Sequence, residues 1–251
     1  MDRKHLFASI LLATGSALGA ATALAADPPP PPEGVWLGKG ALGYVGTQGN
    51  TVSKSLNAAL DMAEYSGPWK HAAHLGALYG SQNDVTSANR WDAGWQSDYK
   101  VSDRAFAFGA LRYLNDKFGG FQYQGSATAG LGYKFVDAGN LKLAGQLGAG
   151  YRSAKPRATP TDLSPGTQGN AIITAGLDYW QALTATTTLT DKLMVESGKD
   201  NTLITNALAL TVKMSDKLAL GLGYAIQDNT KAVAPLKKID SVETVNLVYS
   251  F

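Results

Sequence analysis

The sequence predicts an all-β fold: a transmembrane, antiparallel, up-and-down β-barrel of about 12 strands, closed by pairing of its first and last strands. Three observations carry this. Apolar and polar residues alternate over segments of ten residues or more, longer than typical globular strands and matched to the roughly 9–11 tilted residues that cross a bilayer. Ten of the eleven tyrosines fall in the later half of such a segment. Taking the segments as alternately rising and falling sorts these ten into two levels. Tyr44, Tyr79, Tyr113, Tyr151 and Tyr224 form one, and Tyr65, Tyr99, Tyr133, Tyr179 and Tyr249 the other. Two aromatic belts flanking an apolar band are the mark of a barrel crossing both faces of a membrane.

Residues 1–25 read as a cleaved secretory signal peptide. Arg3 and Lys4 precede the apolar stretch 6–20, and Ala23-Leu24-Ala25 supplies the small-residue cleavage site. Residues 26–34 form a Pro-rich periplasmic leader, because the run Pro28 to Pro32 favours an extended polyproline segment over a sheet. The barrel occupies 35–251. Its strands are expected at 35–47, 51–65, 69–82, 89–101, 104–115, 121–135, 141–153, 171–181, 187–197, 202–214, 217–227 and 241–251.

The segment 121–135 alternates most clearly. Phe121, Tyr123, Ala127, Ala129, Leu131, Tyr133 and Phe135 share one face, against Gln122, Gln124, Ser126, Thr128 and Lys134. In 141–153, Leu141, Leu143, Leu147 and Tyr151 oppose Lys142, Gln146 and Arg152; in 89–101, Trp91, Trp95 and Tyr99 oppose Arg90, Asp92, Gln96 and Asp98. Two segments are irregular. In 104–115, Phe106 and Phe108 share parity with Arg112, and a bulge near Gly109 would turn both rings to lipid while Arg112 points inward. In 187–197, Asp191 shares the apolar face, where a position at the rim costs little. The even-numbered connections are short, and the longest, 154–170 and 228–240, are odd-numbered. Short periplasmic turns and longer outer loops follow, with both termini in the periplasm of an outer-membrane protein. The chain ends on Leu247, Tyr249 and Phe251 at alternate positions, resembling the signal read by the barrel assembly machinery, although Asn246 stands where that signal commonly has Gly.

Composition excludes several function classes. With no cysteine there is no disulfide framework, thiol nucleophile or thiolate metal site. Loss of residues 1–25 removes two of 22 basic and one of 20 acidic residues, so the balance is near neutral and gives no reason to expect nucleic-acid binding. The candidate lumen-lining set is Arg90, Asp92, Gln96, Asp98, Arg112, Gln124, Gln146, Arg152, Asp178 and Glu196, with Lys192 and Lys213. Mixed charge on opposed walls either pairs into a plug or lines a small, weakly selective pore. The same-face pairs Gly130/Gly132, Gly148/Gly150 and Gly221/Gly223 either hollow a passage or leave room for long inward side chains.

No catalytic, cofactor-binding or metal site is expected. His71 and His74 have opposite parity, so they cannot share a metal on one strand, and no serine motif accompanies either. An outer-membrane lipid-active enzyme is therefore the weakest of the functional readings. The expected partners are outer-membrane lipid and lipopolysaccharide, the latter through Lys155, Arg157, Lys231, Lys237 and Lys238, with a monomeric barrel.

Several motifs in order carry a resemblance: Gly49-Asn50-Thr51, the run 112–118 into Phe121-Gln122-Tyr123, the run 130–135, the run 147–152, the run 196–202, and the closing Asn-Leu-Val-Tyr-Ser-Phe. Together, over 35–251, the chain resembles the bacterial salt-induced outer membrane proteins, a family of unknown function. Ala149 stands where that family has Pro. The resemblance implies an outer-membrane barrel connected with salt or osmotic stress, and no known substrate. The function expected is a narrow passive pore or a salt-stress envelope protein; the alternative is a closed structural or partner-binding barrel.

Overall fold

A computed structural model describes residues 32–47, 53–158, 163–230 and 238–251. The signal peptide, most of the proline run, the Gly49-Asn50-Thr51 motif, Lys231 and Lys237 lie outside the described residues. Twelve strands follow one another: β1 Leu37–Thr47, β2 Ser53–Ser66, β3 Trp69–Gln82, β4 Val85–Lys100, β5 Ala105–Asp116, β6 Phe121–Ala138, β7 Leu141–Pro156, β8 Gln168–Ala182, β9 Thr187–Gly198, β10 Thr202–Lys213, β11 Leu218–Asn229 and β12 Ile239–Ser250. Each pairs antiparallel with its sequence neighbours, and β1 pairs with β12, so the sheet is a closed barrel. The closing seam runs from Lys39↔Ser250 to Leu42↔Leu247. Reciprocal backbone hydrogen bonds between Gly38 and Phe251 extend it. No helix among the described residues is long and apolar enough to cross a membrane; the strands do the crossing.

Period-two alternation folds into a barrel because closure pairs every backbone group across strands, which hydrocarbon demands. The resulting molecule is apolar on the outside. Among the described residues, the buried apolar residues are Phe108, Ala110, Ala154, Ile172, Leu203 and Ala219, and the register turns all of them inward. Leu42, Leu75, Leu131, Leu147, Ile173, Val245 and Leu247 point outward and are more than half exposed. A continuous apolar belt of this extent exceeds what a water-soluble monomer tolerates and is what a bilayer solvates.

The strands run longer than their alternation indicated, notably β4, β6, β7 and β8. The connection after β3 is also shorter than expected of an outer loop. Asn83 and Asp84 form a two-residue hairpin with φ of 49° and 62°, the doubly left-handed turn that matches strand twist. A second difference concerns β5. It pairs with β4 and β6 in unbroken register, without a bulge at Gly109. Gly109, Leu111 and Tyr113 face outward, whereas Phe106 and Phe108 face the lumen with Arg112. A third concerns Tyr65, which pairs with Lys70 on the lumen-facing register and so leaves the outer surface. The other nine belt tyrosines face outward. Asp191 also faces outward, opposite Tyr179 in register, and accepts a hydrogen bond from Asn206 Nδ2 at 2.7 Å.

Candidate functional site

The lumen is the site, since alternation sends every second residue of all twelve strands into it. Arg90, Asp92, Gln96 and Asp98 of β4, Arg112 of β5, Gln124 of β6, Gln146 and Arg152 of β7, Asp178 of β8 and Glu196 of β9 all take lumen-facing positions. What the strand pattern left open is which of them meet.

On the β4–β9 side the walls join. Gln96 Nε2 donates to Gln146 Oε1 at 3.2 Å, linking β4 to β7, and also to Asp98 Oδ1 at 2.8 Å. The Arg112 guanidinium reaches Glu196 Oε1 at 3.4 Å from β5 to β9, and Ser126 Oγ donates to the same oxygen at 3.1 Å from β6. Glu196, Gln146, Gln124, Ser126 and Thr174 are all buried. A carboxylate as buried as Glu196 is stable only with such partners.

The inward glycines serve this filling. A Cβ on Gly132 would strike the Phe106 ring, and one on Gly148 would lie 2.8 Å from Phe108 Cζ. A Cβ on Gly130 would crowd both Phe108 and the backbone of β7. These glycines therefore receive inward aromatic rings and do not hollow a passage. Gly221 and Gly223 differ, with β12 side chains as their nearest neighbours and no ring over them.

On the opposite side the inward residues are less covered. Lys192, Ala207 and Ala225 form one ladder row across β9, β10 and β11, all midway along their strands. All three point inward, yet all three are exposed. Asp61 of β2 is 57% exposed at its side chain and accepts from His74 Nδ1 at 2.7 Å; His74 Nε2 lies 2.9 Å from Asp92 Oδ2. Lys39 of β1 is the register partner of Asp61, and Lys192 of β9 projects into the lumen opposite Asp178. An acidic pair bridged by a histidine thus lines the lumen with Lys39 beside it on β1 and Lys192 projecting from β9, mixed charge of the kind that sets a transverse field in a narrow pore. Among the described residues no three His, Cys, Asp or Glu converge as a metal site.

At the end of the barrel away from the termini a small cavity of about 50 Å³ is lined by Asp116, Gln124, Gln227, Asn229 and Asp240 beside Phe118 and Phe121. The carboxamide oxygens of Gln124, Gln227 and Asn229 are buried without a hydrogen-bond partner. Arg152, 3% exposed, donates to Asn201 O at 2.6 Å and so ties β7 to the β9–β10 connection. Arg157 donates to the carbonyls of Gly119 and Asp116.

The outer wall holds a pairing that single-strand parity could not reveal. His71 Nδ1 lies 2.8 Å from Ser97 Oγ, so a serine does accompany one histidine. Ser97 Oγ also accepts from Trp95 Nε1 at 2.9 Å, and β4 is laddered on both sides around Ser97, leaving no backbone N–H to build an oxyanion hole.

Comparison with known proteins agrees with this architecture. The uncharacterized protein YdiY of Escherichia coli K12 is 29% identical over 210 residues, covering 83% of this chain and 80% of YdiY. Among solved structures, the NanC porin superposes with a TM-score of 0.50 at 11% identity, covering 86% of this chain and 99% of that one. The translocator domain of the autotransporter NalP from Neisseria meningitidis gives 0.44 at 16% identity, covering 86% and 88%. The NanC likeness bears on the fold, a porin-like barrel of outer-membrane type. The model of one family, described as "Protein of unknown function, DUF481", matches residues 40–251, essentially the whole barrel, and the chain belongs to that family.

Proposed function

We propose that the protein sits in the outer membrane with both termini in the periplasm and passes small polar solutes and ions through a narrow, water-filled crescent of its lumen. The observation that carries this is the exposed inward row Lys192, Ala207 and Ala225. Water reaches the middle of the barrel there, beside walls of alanine, glycine and threonine, while the β4–β9 side is packed shut. With Asp61 and Asp92 accompanied by Lys39 and Lys192 in the lumen, neither sign dominates, and selectivity is expected to be weak.

Single-channel recording in planar bilayers tests this. Small, steady conductance is expected, and Ala207→Trp or Ala225→Trp should cut it sharply by filling the crescent. Silence at all salts and voltages, in protein shown to be folded by heat-modifiable electrophoretic mobility, would overturn it. Such silence would favour a closed structural barrel, the reading that the buried Arg112–Glu196–Ser126 cluster supports. A role in salt adaptation rests on the family resemblance; a deletion strain growing normally at high salt would count against it. Contact with the barrel assembly machinery is proposed through the outward ring of Phe251, packed over Gly38 at the closing seam.

A further inference from the structure

The lipid-facing wall near the turn after β2 carries a row of polar residues. Glu64, His71 and Ser97 pair in register across β2, β3 and β4, so three polar residues form one outward row. A polar row on a lipid face is costly unless it lies at the headgroup level or has a partner. It lies close to the turn at Gly67, at the end of the barrel that carries the termini.

Aromatic rings frame the row. His71 stacks on Trp69 with centroids 5.8 Å apart and an interplanar angle of 9°, and on Trp95 at 5.8 Å and 29°. Trp36 lies 5.8 Å from Trp95, and Trp69 packs edge-on to Tyr99 at 4.9 Å. The first pair of the β1–β2 ladder, Leu37↔Ala63, brings Trp36 alongside Glu64. Ser97 Oγ accepts from Trp95 Nε1 and lies 2.8 Å from His71 Nδ1, to which it can give its own proton. With the serine hydroxyl donating to Nδ1, the ring N–H of His71 stands at Nε2, a donor outside this hydrogen-bond chain.

We propose that this row is a binding site for the headgroup of an ethanolamine phospholipid. His71 Nε2–H donates to a phosphate oxygen. The Glu64 carboxylate accepts from the primary ammonium, and the indole faces of Trp36, Trp69 and Trp95 add cation–π attraction. Facing residues in a ladder hold their Cβ atoms about 4.5–5.5 Å apart, the reach of a phosphate and an amine joined by two carbons. Choline has no N–H for Glu64, and an unsubstituted glycerol headgroup has no cation at all. The site depends on the membrane setting of the barrel and not on conduction through it.

Competition in detergent micelles tests the proposal. Lipids with identical brominated acyl chains and ethanolamine, choline or glycerol headgroups are titrated against the full-length protein, and tryptophan quenching is read. The ethanolamine lipid should bind at least about fivefold more tightly than either other, the equivalent of one or two exposed contacts of this kind. Glu64→Gln should reduce that preference to within about twofold, and His71→Phe should weaken all three lipids by about fivefold. Equal affinity of the three lipids for the unaltered protein would overturn the site, and so would an undiminished preference in folded Glu64→Gln. If either variant fails to fold, the comparison on the unaltered protein decides alone.

Discussion

Gly132→Ala offers a direct reading of what fills the lumen. The nearest atoms to a methyl group at position 132 all belong to the Phe106 ring, which faces inward from β5. No backbone atom is among them, so the clash is with one side chain that must swing away. Overpacking of this kind costs about 1–3 kcal/mol. Phe106→Ala alone removes a partly buried ring and should cost about 2–3 kcal/mol, less than a fully buried phenylalanine. If the two effects were independent the double variant would lose both amounts. With the ring gone, however, the methyl enters vacated space, and the double variant should be no less stable than Phe106→Ala. The expected coupling is therefore about 1–3 kcal/mol, favourable. Guanidinium unfolding in detergent micelles, followed through the five tryptophans, measures all four corners of the cycle. Additivity within about 0.5 kcal/mol would refute the contact and restore the alternative in which Phe106 turns to lipid.

Further outcomes follow from the same contacts. Leu131→Arg, on an outward position 68% exposed, should destabilise the folded barrel in lipid by about 2–4 kcal/mol; no loss in vesicle-based unfolding would argue against a hydrocarbon surface there. Glu196→Gln removes the partner of Arg112. Because that guanidinium is partly exposed, the cost should be about 1–2 kcal/mol rather than the larger penalty of a fully buried orphan charge, read by the same unfolding assay. Arg152→Met should free the β9–β10 connection from its tie at Asn201 and quicken tryptic cleavage after Lys199, with little change elsewhere in the digest. Asp84→Gly should stabilise by about 0.5–1 kcal/mol, since its φ of 62° suits glycine better.

Two places show how chemistry escapes a one-strand reading. Parity put His71 outside and His74 inside correctly, because side-chain direction is a local property of the pleat. It could not show that Ser97 lies opposite His71 or that Asp61 and Asp92 flank His74, since those pairings depend on the register of neighbouring strands. A hairpin with a short turn sets register nearly by itself, and the turn at Gly67 was visible in Ser66-Gly67-Pro68. That signal could have been carried one step further, to Glu64↔His71.

The amino-acid sequence by itself determined the class of fold, the approximate place of each strand and the facing of most residues, Tyr65, Phe106 and Phe108 apart, because lipid imposes period two on every strand separately. The tertiary structure alone decided the contents of the cylinder. Gln96 meets Gln146 and Arg112 meets Glu196 from strands that are not neighbours, and such meetings depend on the shear and closure of the entire sheet. The same is true of Phe106 and Phe108. An apolar ring inside the barrel breaks the expected alternation, yet it is stable there because Gly132, Gly130 and Gly148, on β6 and β7, leave the volume it occupies.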